Sequence, residues 1–501
     1  MVLFTIFKGL TAKLTSVKNF RAMTDPKVLI IGAGAAGIAA ASRLLDRGLK
    51  NLVILEAKDR IGGRVHTVKF SDNVVELGAQ WCHGEVNNIV YKLASKHNLL
   101  ASSKNINDHT KHIFVNSLGE VLSQQETVEI LRIYEKICDE EDEVDVEPGT
   151  SYGDYFTRVF YKEIDNNPLI TKETAEQVLD WMHKYHNSID CCDSWHKVSF
   201  ARLKDYWTCE GDQLLNWKTN GYSKIFDLLV KRYPDPSKEL PVFNKILFNK
   251  EVQLVDYTKN HVTVTTSDGS MYKVSNVIFT PSLGVLKEQH TTLFKPSLPE
   301  RKIQAIKGLN IGVANKIFLE FPYRWWPENT GAFSLMWSDE QKKNFLKING
   351  KDRFWLCDVF QFFTVDCQPR LLSGWIVGPN AKYIETLSDD TVLKEFYFLL
   401  QKFMGHIYDI PKPQSILRSK WYSDKHIRGS YSYRSLDTEI SKINSQDYAD
   451  PIKAANNNPI ILFAGEATHP HYYSTVHGAV ETGFREADRL LEYYGCLKPR
   501  L

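Results

Sequence analysis

A short glycine-rich stretch constrains this chain more than any other feature of its sequence. The apolar run Val28–Ile31 leads directly into Gly32, Gly34 and Gly37, which have the spacing G-x-G-x-x-G. The pattern predicts a buried strand, a tight turn at Gly32 and a helix whose first N–H groups face a pyrophosphate. Gly34 would let the phosphates approach the backbone, and Gly37 would let the helix pack closely on the strand. The stretch therefore predicts a dinucleotide-binding fold of the α/β class.

The residues that follow refine this prediction. The run 51–55 predicts a second strand, and Glu56 ends it, where an acid can bind ribose hydroxyls. Gly62, Gly63 and Arg64 come soon afterwards, and a nicotinamide-binding fold does not need them. A second glycine pair and an arginine suit a longer, bent cofactor whose pyrophosphate needs a cation. The alternative interpretation is a glycine-rich turn in some other α/β protein.

Four stretches together resemble the flavin-containing amine oxidases, and most of all the animal polyamine oxidases. They are Asp59–Val65, Leu77–Trp81, Asn315-Lys316 and Phe463–His469, in the order that the family has them. The resemblance extends from about residue 27 to about residue 491. It implies an α/β fold with a Rossmann-like FAD-binding domain and an α+β substrate-binding domain with a mixed sheet.

The resemblance also implies that the FAD-binding domain is discontinuous. We expect residues 25–90, 218–288 and 458–497 to form it, and residues 91–217 and 289–457 to form the substrate-binding domain. Val277–Thr280 resembles the family's strand that returns to the cofactor. Residues 261–266 and 271–280 predict a hairpin, because Ser267-Asp268-Gly269-Ser270 is a strong turn signal.

The resemblance identifies a set of residues at FAD. Glu466 would lie at the ribityl-pyrophosphate part of the cofactor; the alternative is an acid that caps a helix. Monoamine oxidases carry a cysteine, covalently bound to FAD, where this chain has Ser430, so we expect FAD to be bound non-covalently. The expected cofactor residues are Gly32, Gly34, Ala36, Gly37, Glu56, Ala57, Arg64, Gly78, Ala79, Gln80, Trp81, Val252, Trp421, Glu466, Thr475 and Val476.

Four residues resemble the family's catalytic positions. Lys316 matches a lysine that holds a water at flavin N5, although a lone lysine on a strand is usually solvent-facing. Tyr431 matches an aromatic wall over the flavin, although tyrosine also suits a strand core. Thr475 stands where monoamine oxidases have a second tyrosine. The smaller threonine would widen the slot. His83 matches a histidine that contacts substrate, although a lone histidine is more often structural.

We expect the substrate to lie among His83, Tyr431, Tyr473 and Ser474. Glu210, close to Trp207 and Trp217 in the sequence, is a further candidate because acids and aromatic rings bind distal cationic nitrogens. The expected reaction is oxidation of spermine, N1-acetylspermine or N1-acetylspermidine at a secondary amine C–N bond. Hydride transfer to flavin N5 would give an aminoaldehyde, a shorter amine and H2O2. The alternatives are a monoamine oxidase-like enzyme and a flavin-binding protein without turnover.

Composition narrows the partners. A formal net charge of +2 without a basic block gives no argument for nucleic acid, and no run is long enough to span a bilayer. The eight cysteines include no C-x-x-C pair, which favours a reducing compartment, and because the histidines are dispersed and no Cys/His spacing fits zinc, we expect no metal site. The partners that the resemblance implies, a small polyamine and O2, are compatible with this composition. The acidic stretch 140–147 is expected to be a solvated face, or else to attract a polycation.

The ends of the sequence bear on its location. Residues 1–24 are basic with apolar residues near one helical face, typical of a mitochondrial presequence or of a disordered extension. Pro499-Arg500-Leu501 resembles a peroxisomal C-terminal tripeptide. Peroxisome, cytoplasm and mitochondrion stay open, and the sequence does not decide the oligomeric state.

Overall fold

The structure is a computed structural model that describes residues 27–141, 144–165, 167–259 and 261–496. The expected extension 1–24 and the C-terminal tripeptide lie outside these residues. Strands and helices are numbered below in chain order.

A six-stranded, mostly parallel sheet carries the glycine-rich stretch. The first strand is the predicted run Val28–Ile31, and it pairs in parallel with the strands on both sides. These strands are continuous apolar runs, as expected when helices cover both faces of a parallel sheet. Only the edge strand β21 runs antiparallel. The order is β21 (Ile452–Lys453), β22 (Pro459–Phe463), β12 (Asn276–Phe279), β1 (Val28–Ile31), β2 (Leu52–Leu55) and β8 (Ile246–Leu247).

A second six-stranded sheet is mixed, as expected from the sequence. Its neighbouring strands are antiparallel except for one parallel pair at the edge. The order is β19 (Ser415–Arg418), β15 (Ala314–Glu320), β18 (Gln368–Val377), β17 (Gln361–Val365), β16 (Ala332–Met336) and β6 (His112–Asn116). The α/β class with a mixed second sheet is confirmed, whereas the domain boundaries stay predictions.

The remaining strands form small sheets, and one prediction is wrong there. The hairpin across residues 267–270 is confirmed, because β10 (Val262–Thr266) pairs in antiparallel with β11 (Met271–Val274), but residues 271–280 are not one strand: they split at Ser275 into β11 and β12, which belong to different sheets. The fully buried run of β12 fits the parallel sheet, whereas β11 is half exposed and pairs with β10. The small sheets are β11 (Met271–Val274), β10 (Val262–Thr266), β9 (Val252–Asp256) and β13 (Phe294–Lys295); β3 (Thr67–Phe70) and β4 (Asn73–Glu76); β5 (Ala101–Ser102) and β7 (Leu215–Asn216); β14 (Asn310–Ile311) and β20 (Ser432–Tyr433).

The helices pack around these sheets. Within the described ranges, none is both long and apolar enough to cross a membrane. They are α1 (Ala35–Asp46), α2 (Ile89–Ala94), α3 (Lys104–Asn107), α4 (Gln124–Glu140), α5 (Tyr152–Ile164), α6 (Lys172–Asp190), α7 (Lys224–Leu229), α8 (Leu283–Leu293), α9 (Glu300–Gly308), α10 (Asp339–Asn349), α11 (Pro379–Ile384), α12 (Asp389–Met404), α13 (Leu436–Ile440), α14 (Ser445–Ala449) and α15 (Val476–Tyr493).

Helices α1 and α15 lie side by side on one face of the parallel sheet. A Cβ on Gly483 of α15 would lie 2.2 Å from the carbonyl oxygen of Ala36, so the two backbones are close. The Arg43 guanidinium donates two hydrogen bonds, of 2.8 and 2.9 Å, to the Asp488 carboxylate. This pair of helices places both of their N-termini beside the ends of the parallel strands.

Candidate active site

One continuous cavity of about 1310 Å³ joins the two large sheets. One end lies at the glycine loop after β1, and the other end lies between α4 and α6. All of the site residues expected from the sequence line this cavity except Gly37 and Glu210.

The glycine loop forms a cradle at the first end. Gly32 has φ of +101°, and a Cβ there would lie 2.5 Å from the Thr280 hydroxyl. A Cβ at Gly37 would lie 2.0 Å from the carbonyl oxygen of Gly32, so Gly37 serves helix packing and does not line the cavity. At Gly34 the nearest atom would be 3.9 Å away, which leaves open space in front of the backbone. Gly34 is thus where a ligand can approach the main chain.

The start of α1 favours an anion in this cradle. Its N-cap, Gly34, has no side chain to accept hydrogen bonds from the first-turn N–H groups, and that turn contains no acid. Such N–H groups and the positive end of the helix dipole bind phosphates. Arg64 lines the cavity nearby and adds a full positive charge. The cradle therefore fits the pyrophosphate of a dinucleotide.

Glu56 lies at the end of β2 with its carboxylate held by the backbone. One oxygen accepts a 2.7 Å hydrogen bond from the Ala33 N–H, and the other accepts a 2.9 Å bond from the Lys58 N–H. A carboxylate oxygen has two lone pairs, so each can accept a further bond from a ribose hydroxyl. Ala57 and Val252 line the same part of the cavity.

Glu466 is buried and is held by three donors from distant segments. Its carboxylate is 2.9 Å from an Arg64 guanidinium nitrogen and accepts bonds from the Ser432 hydroxyl at 2.6 Å and the Ser474 N–H at 2.8 Å. Burial alone would raise the pKa of Glu466, but Arg64 and these hydrogen bonds outweigh it and lower the pKa. Glu466 stays ionised, and its contacts are those of a fixed anion rather than of a helix cap.

Lys316 lies on β15 and points inward, so the solvent-facing alternative is wrong. Its ammonium donates to the Gly78 carbonyl at 2.8 Å, to the Gln80 side-chain oxygen at 2.6 Å and to the Glu76 carbonyl at 3.3 Å. Burial lowers its pKa, whereas the Glu76 carboxylate opposes that shift. Three acceptor oxygens match the three hydrogens of an ammonium group, which favours the charged form.

Two tryptophans flank Lys316. The Nζ atom lies 5.6 Å from the centre of the Trp81 ring and 5.0 Å from that of Trp375, and the two rings stack 6.0 Å apart. Trp375 was missed from the sequence, because nothing in its surroundings there distinguishes it from a core residue. Together these groups form a cationic floor with aromatic walls.

The segment around Tyr431 also lines the cavity. The Tyr431 hydroxyl donates a 2.6 Å hydrogen bond to the Ser188 carbonyl, which fixes the ring against α6. Ser430 also lines the cavity, and its hydroxyl bonds to the backbone of Ala314 at 2.9 and 3.1 Å. Tyr433, two residues on, is in the core and does not line the cavity. Tyr431 is therefore the tyrosine of this segment that can form a wall of the slot.

The start of α15 completes this region. Thr475 is the N-cap: its hydroxyl accepts a 3.0 Å bond from the Gly478 N–H and donates a 2.7 Å bond to the Tyr472 carbonyl. Tyr473 lines the cavity with its ring 3.9 Å from the Arg434 guanidinium. Trp421, which also lines the cavity, donates from its indole to the Leu77 carbonyl at 3.2 Å.

His83 is held as a neutral imidazole. Its Nδ1 atom is 2.7 Å from the Gln213 carbonyl, which can only accept, so Nδ1 carries the proton and Nε2 has a free lone pair. Burial lowers the pKa of His83, and the positive charge of Lys316 lowers it further, against the opposing bond to Gln213. The imidazole can therefore accept a hydrogen bond from a ligand N–H.

The structure does not bring Glu210 into the cavity. Its side chain is exposed, and its carbonyl accepts the Glu85 and Val86 N–H groups, so that this loop presents Thr208, Gln213 and Leu214 inward instead. The expectation for Glu210 rested on nearby tryptophans, but Trp207 stacks outward on His471 and Trp217 is in the core.

The outer half of the cavity contains residues that the sequence did not single out. Asp190 accepts a 2.9 Å hydrogen bond from Nε2 of His186, one helix turn before it on α6. Within the described part of the chain no lysine or arginine pairs with Asp190. The i, i+4 spacing of these two residues was the only sequence signal for them. The further lining residues of this half include His109, His112, Glu135, Tyr185 and Phe363.

Three features lie along one cavity: the cradle for a dinucleotide, the buried cation Lys316 and the aromatic rings beside it. Together they are typical of an oxidoreductase fold that binds FAD or NAD. Comparison with known proteins makes this specific. Residues 35–491 match the family model for flavin containing amine oxidoreductases, and the chain belongs to this family. It is therefore a flavin-dependent amine oxidase, and its cofactor is a flavin.

Named relatives agree with this assignment. The chain is 30% identical to a human peroxisomal N1-acetyl-spermine/spermidine oxidase, over 94% of this chain and 95% of the relative. It is 31% identical to the bovine protein of the same name, over 93% and 94%. A solved structure of a putrescine oxidase with redesigned cofactor binding has a TM-score of 0.66 at 17% identity, covering 93% of this chain and 99% of that one, which shows a common fold.

Proposed function

We propose that this protein is a polyamine oxidase that binds FAD non-covalently and uses O2 as its electron acceptor. The observation that carries the proposal is the single cavity itself. It joins a dinucleotide cradle at Gly34 to Lys316 and Tyr431, and then continues to an acid, Asp190, whose partner is His186 and which pairs with no lysine or arginine in the described residues.

The cofactor end fits FAD in particular. The first-turn N–H groups of α1 and Arg64 suit its pyrophosphate, and Glu56 suits the ribose of its adenosine half. From this cradle the cavity continues past Glu466 toward Lys316, so the flavin ring would lie between Lys316 and Tyr431. Ser430 has a hydroxyl committed to Ala314 and no thiol, which supports non-covalent binding.

FAD supplies the redox chemistry when it is bound: it accepts a hydride equivalent from the carbon beside an amine and later reduces O2 to H2O2. The protein contributes the geometry. Tyr431 and Tyr473 would hold the amine chain in the slot, and Nε2 of His83 would accept a hydrogen bond from its N–H. The oxidised substrate then adds water and separates into an aminoaldehyde and a shorter amine.

Lys316 would act in the half-reaction in which the reduced enzyme reacts with O2. A fixed positive charge stabilises negative charge that develops on reduced oxygen species in an enclosed site. Its three hydrogen-bond acceptors hold the ammonium in one place, so that little reorganisation is needed when this charge develops.

The carboxylate of Asp190 favours a polyamine over a monoamine as the substrate. A monoamine has no second cation to place beside this carboxylate, which would then face an apolar chain. Thr475 lines the same cavity as Tyr431, and its small side chain would leave room for a substituted secondary amine. The named relatives, which are acetylpolyamine oxidases, support spermine, N1-acetylspermine and N1-acetylspermidine as the substrates to test.

The same relatives support a peroxisomal location. Neither of them supports the mitochondrial alternative. Expression of the full chain with an internal fluorescent tag, imaged against a peroxisomal marker, would test this part of the proposal.

An anaerobic titration tests the function. The purified flavoprotein is mixed separately with spermine, spermidine, N1-acetylspermine and benzylamine, and the flavin absorbance is followed. We expect bleaching by at least one polyamine and none by benzylamine, together with release of the flavin when the protein is denatured. Bleaching by benzylamine alone would contradict the proposal, and a flavin that stays with the denatured chain would contradict non-covalent binding.

A further inference from the structure

The cavity reaches the protein surface at α4, where its mouth lies, because three of its lining residues there, Val128, Arg132 and Glu135, are exposed. The residues of α4 that line it are Val128, Leu131, Arg132 and Glu135. Of these, the two apolar residues can contact methylene groups, and the two charged residues decide which ions are favoured there. What matters, therefore, is whether the two charges cancel.

The two charges do not cancel, because the basic side chains of α4 pair with other carboxylates. The Arg132 guanidinium makes two hydrogen bonds, of 2.9 and 2.8 Å, to the Glu129 carboxylate. Lys136 is 2.8 Å from Glu163 on α5. Glu135 makes no hydrogen bond or ion pair with any residue that the structure describes. The mouth thus has an uncompensated negative charge on the cavity side of α4.

The groups next to Glu135 add acceptors without adding positive charge. Nε2 of His109 is 3.4 Å from the Tyr185 hydroxyl, and its ring is 4.9 Å from that of His112. Burial lowers the pKa of His109 against the opposing charge of Glu135, and burial lowers the pKa of His112 to about 3. Both imidazoles are therefore neutral near pH 7 and do not repel a cation.

This outer group lies at a distance from the reacting slot. Tyr431 contacts α6 at Ser188, close to Asp190 at the C-terminal end of this helix, whereas Tyr185, which contacts His109, lies earlier on it. Tyr185 and Asp190 are separated by a helical rise of about 7.5 Å. Only a substrate with a second and more distant nitrogen can reach both places at once.

We propose that Glu135, His109 and Tyr185 form an outer subsite for the far ammonium of a long polyamine, so that the enzyme selects substrates by chain length. The inference rests on the proposed function and deepens it, since it names the part of the substrate that the mouth recognises. The carboxylate binds the ammonium by charge, and the Tyr185 oxygen accepts one of its remaining hydrogens, while the neutral His109 ring holds the Tyr185 hydroxyl and adds no repelling charge.

The experiment compares spermine, the longer chain, with spermidine, the shorter one, in steady-state assays of the full-length flavoprotein. The variant is Glu135→Gln, which keeps the size of the side chain and removes its charge. Because Glu135 is exposed, we expect a fall in kcat/KM for spermine of about threefold, mostly in KM, and less than half of that effect for spermidine. Glu135→Lys should lower kcat/KM for spermine by about tenfold.

Glu140→Gln is the matched control, because Glu140 is exposed on the same helix and does not line the cavity. It should leave the spermine-to-spermidine ratio of kcat/KM unchanged. Raising the ionic strength should shrink the difference between wild type and Glu135→Gln, since salt screens exposed charges. A merely structural role for Glu135 would give no such salt dependence.

Two failures can be told apart. If Glu135→Gln lowers kcat/KM equally for both substrates, or no more than Glu140→Gln does, the subsite is overturned and the proposed function stands. If the wild-type flavin is not reduced by any polyamine, the proposed function and the subsite both fall, and this is seen before any variant is made.

Discussion

The two ends of the cavity are built from different parts of the polypeptide. At the cofactor end the contacts come from backbone N–H groups after β1 and from carboxylates that the backbone itself fixes, such as Glu56. At the substrate end they come from side chains on α4 and α6, such as Glu135 and Asp190. Changes at the cofactor end should therefore affect flavin binding, and also folding where the changed residue is tightly packed or paired, whereas changes at the substrate end should alter selectivity and leave the fold intact.

The largest effect should come from Glu466→Gln. Removing one charge of a buried pair leaves Arg64 without its partner, and we expect the free energy of unfolding at neutral pH to fall by about 3 kcal/mol, with weaker flavin binding. The pKa of Glu466 is lowered from its ordinary value of 4.5, so its stabilisation is complete above pH 4.5 and is lost as the pH falls through the folded-state pKa. Denaturation across pH should show wild type and variant converging below pH 4.5.

Glu486→Gln is the control for that variant. Glu486 is also fully buried and pairs with Arg485 and Arg489, at 2.5 and 2.8 Å, but it does not line the cavity. We expect a comparable loss of stability and an unchanged flavin spectrum in the folded protein. An equal spectral change in both variants would break the distinction between the cofactor end and the rest of the fold.

Lys316→Met should act on one half-reaction. Without the ammonium, the reaction of the reduced enzyme with O2 should slow by about a hundredfold, by analogy with the loss of one electrostatic group in other active sites, while flavin stays bound. Stopped-flow mixing of the reduced protein with oxygenated buffer measures this rate. Unchanged oxygen kinetics would remove the role proposed for Lys316.

A second buried lysine provides the control for Lys316. Lys302 packs 4.1 Å from the centre of the Phe463 ring and donates to the Tyr448 carbonyl at 2.6 Å, outside the cavity. Burial lowers its pKa to about 7. Lys302→Met should alter stability and leave the oxygen rate unchanged, so that an effect of Lys316→Met is one of position rather than of losing any buried lysine.

The smallest effect concerns two glycines of one loop. Gly37→Ala places a Cβ 2.0 Å from the Gly32 carbonyl, and we expect a loss of about 1–3 kcal/mol in unfolding free energy. Gly34→Ala has open space and a φ of −79° that alanine adopts readily, so the flavin-free protein should keep its stability within about 0.5 kcal/mol. Flavin affinity should fall in Gly34→Ala, which a titration of the flavin-free protein would measure. Equal affinity in wild type and Gly34→Ala would contradict a close approach of the pyrophosphate.

The contrast between the two ends also explains what the sequence could predict. The glycine spacing, the strands at 28–31 and 52–55 and the acid after the second strand are local patterns, and all of them lie where they were expected. A backbone-built site needs particular residues at fixed spacing, because only glycine permits the turn at Gly32. That requirement leaves a trace in the sequence.

The residues at the substrate end follow no such fixed spacing in the sequence. Whether an acid faces the cavity depends on how α4 and α6 pack, and Glu135 and Glu140 look alike in the sequence although only Glu135 lines the cavity. The choice of Glu210 failed for this reason, since neighbours along the chain were taken as neighbours in space. The prediction of one strand over residues 271–280 was wrong for a similar reason. The burial of each segment, and not the turn, determines which sheet the segment joins.

The pairing of α1 with α15 has a consequence for how the protein matures. The Arg43–Asp488 contact joins residues 445 apart in sequence, and the Arg64–Glu466 contact joins residues 402 apart. On a ribosome that delivers the chain from its N-terminus, the glycine cradle emerges early but waits for the segment with Glu466 and α15 before the cleft closes. The complete cradle, with both Arg64 and Glu466, therefore cannot form until the segment that contains Glu466 has been synthesised.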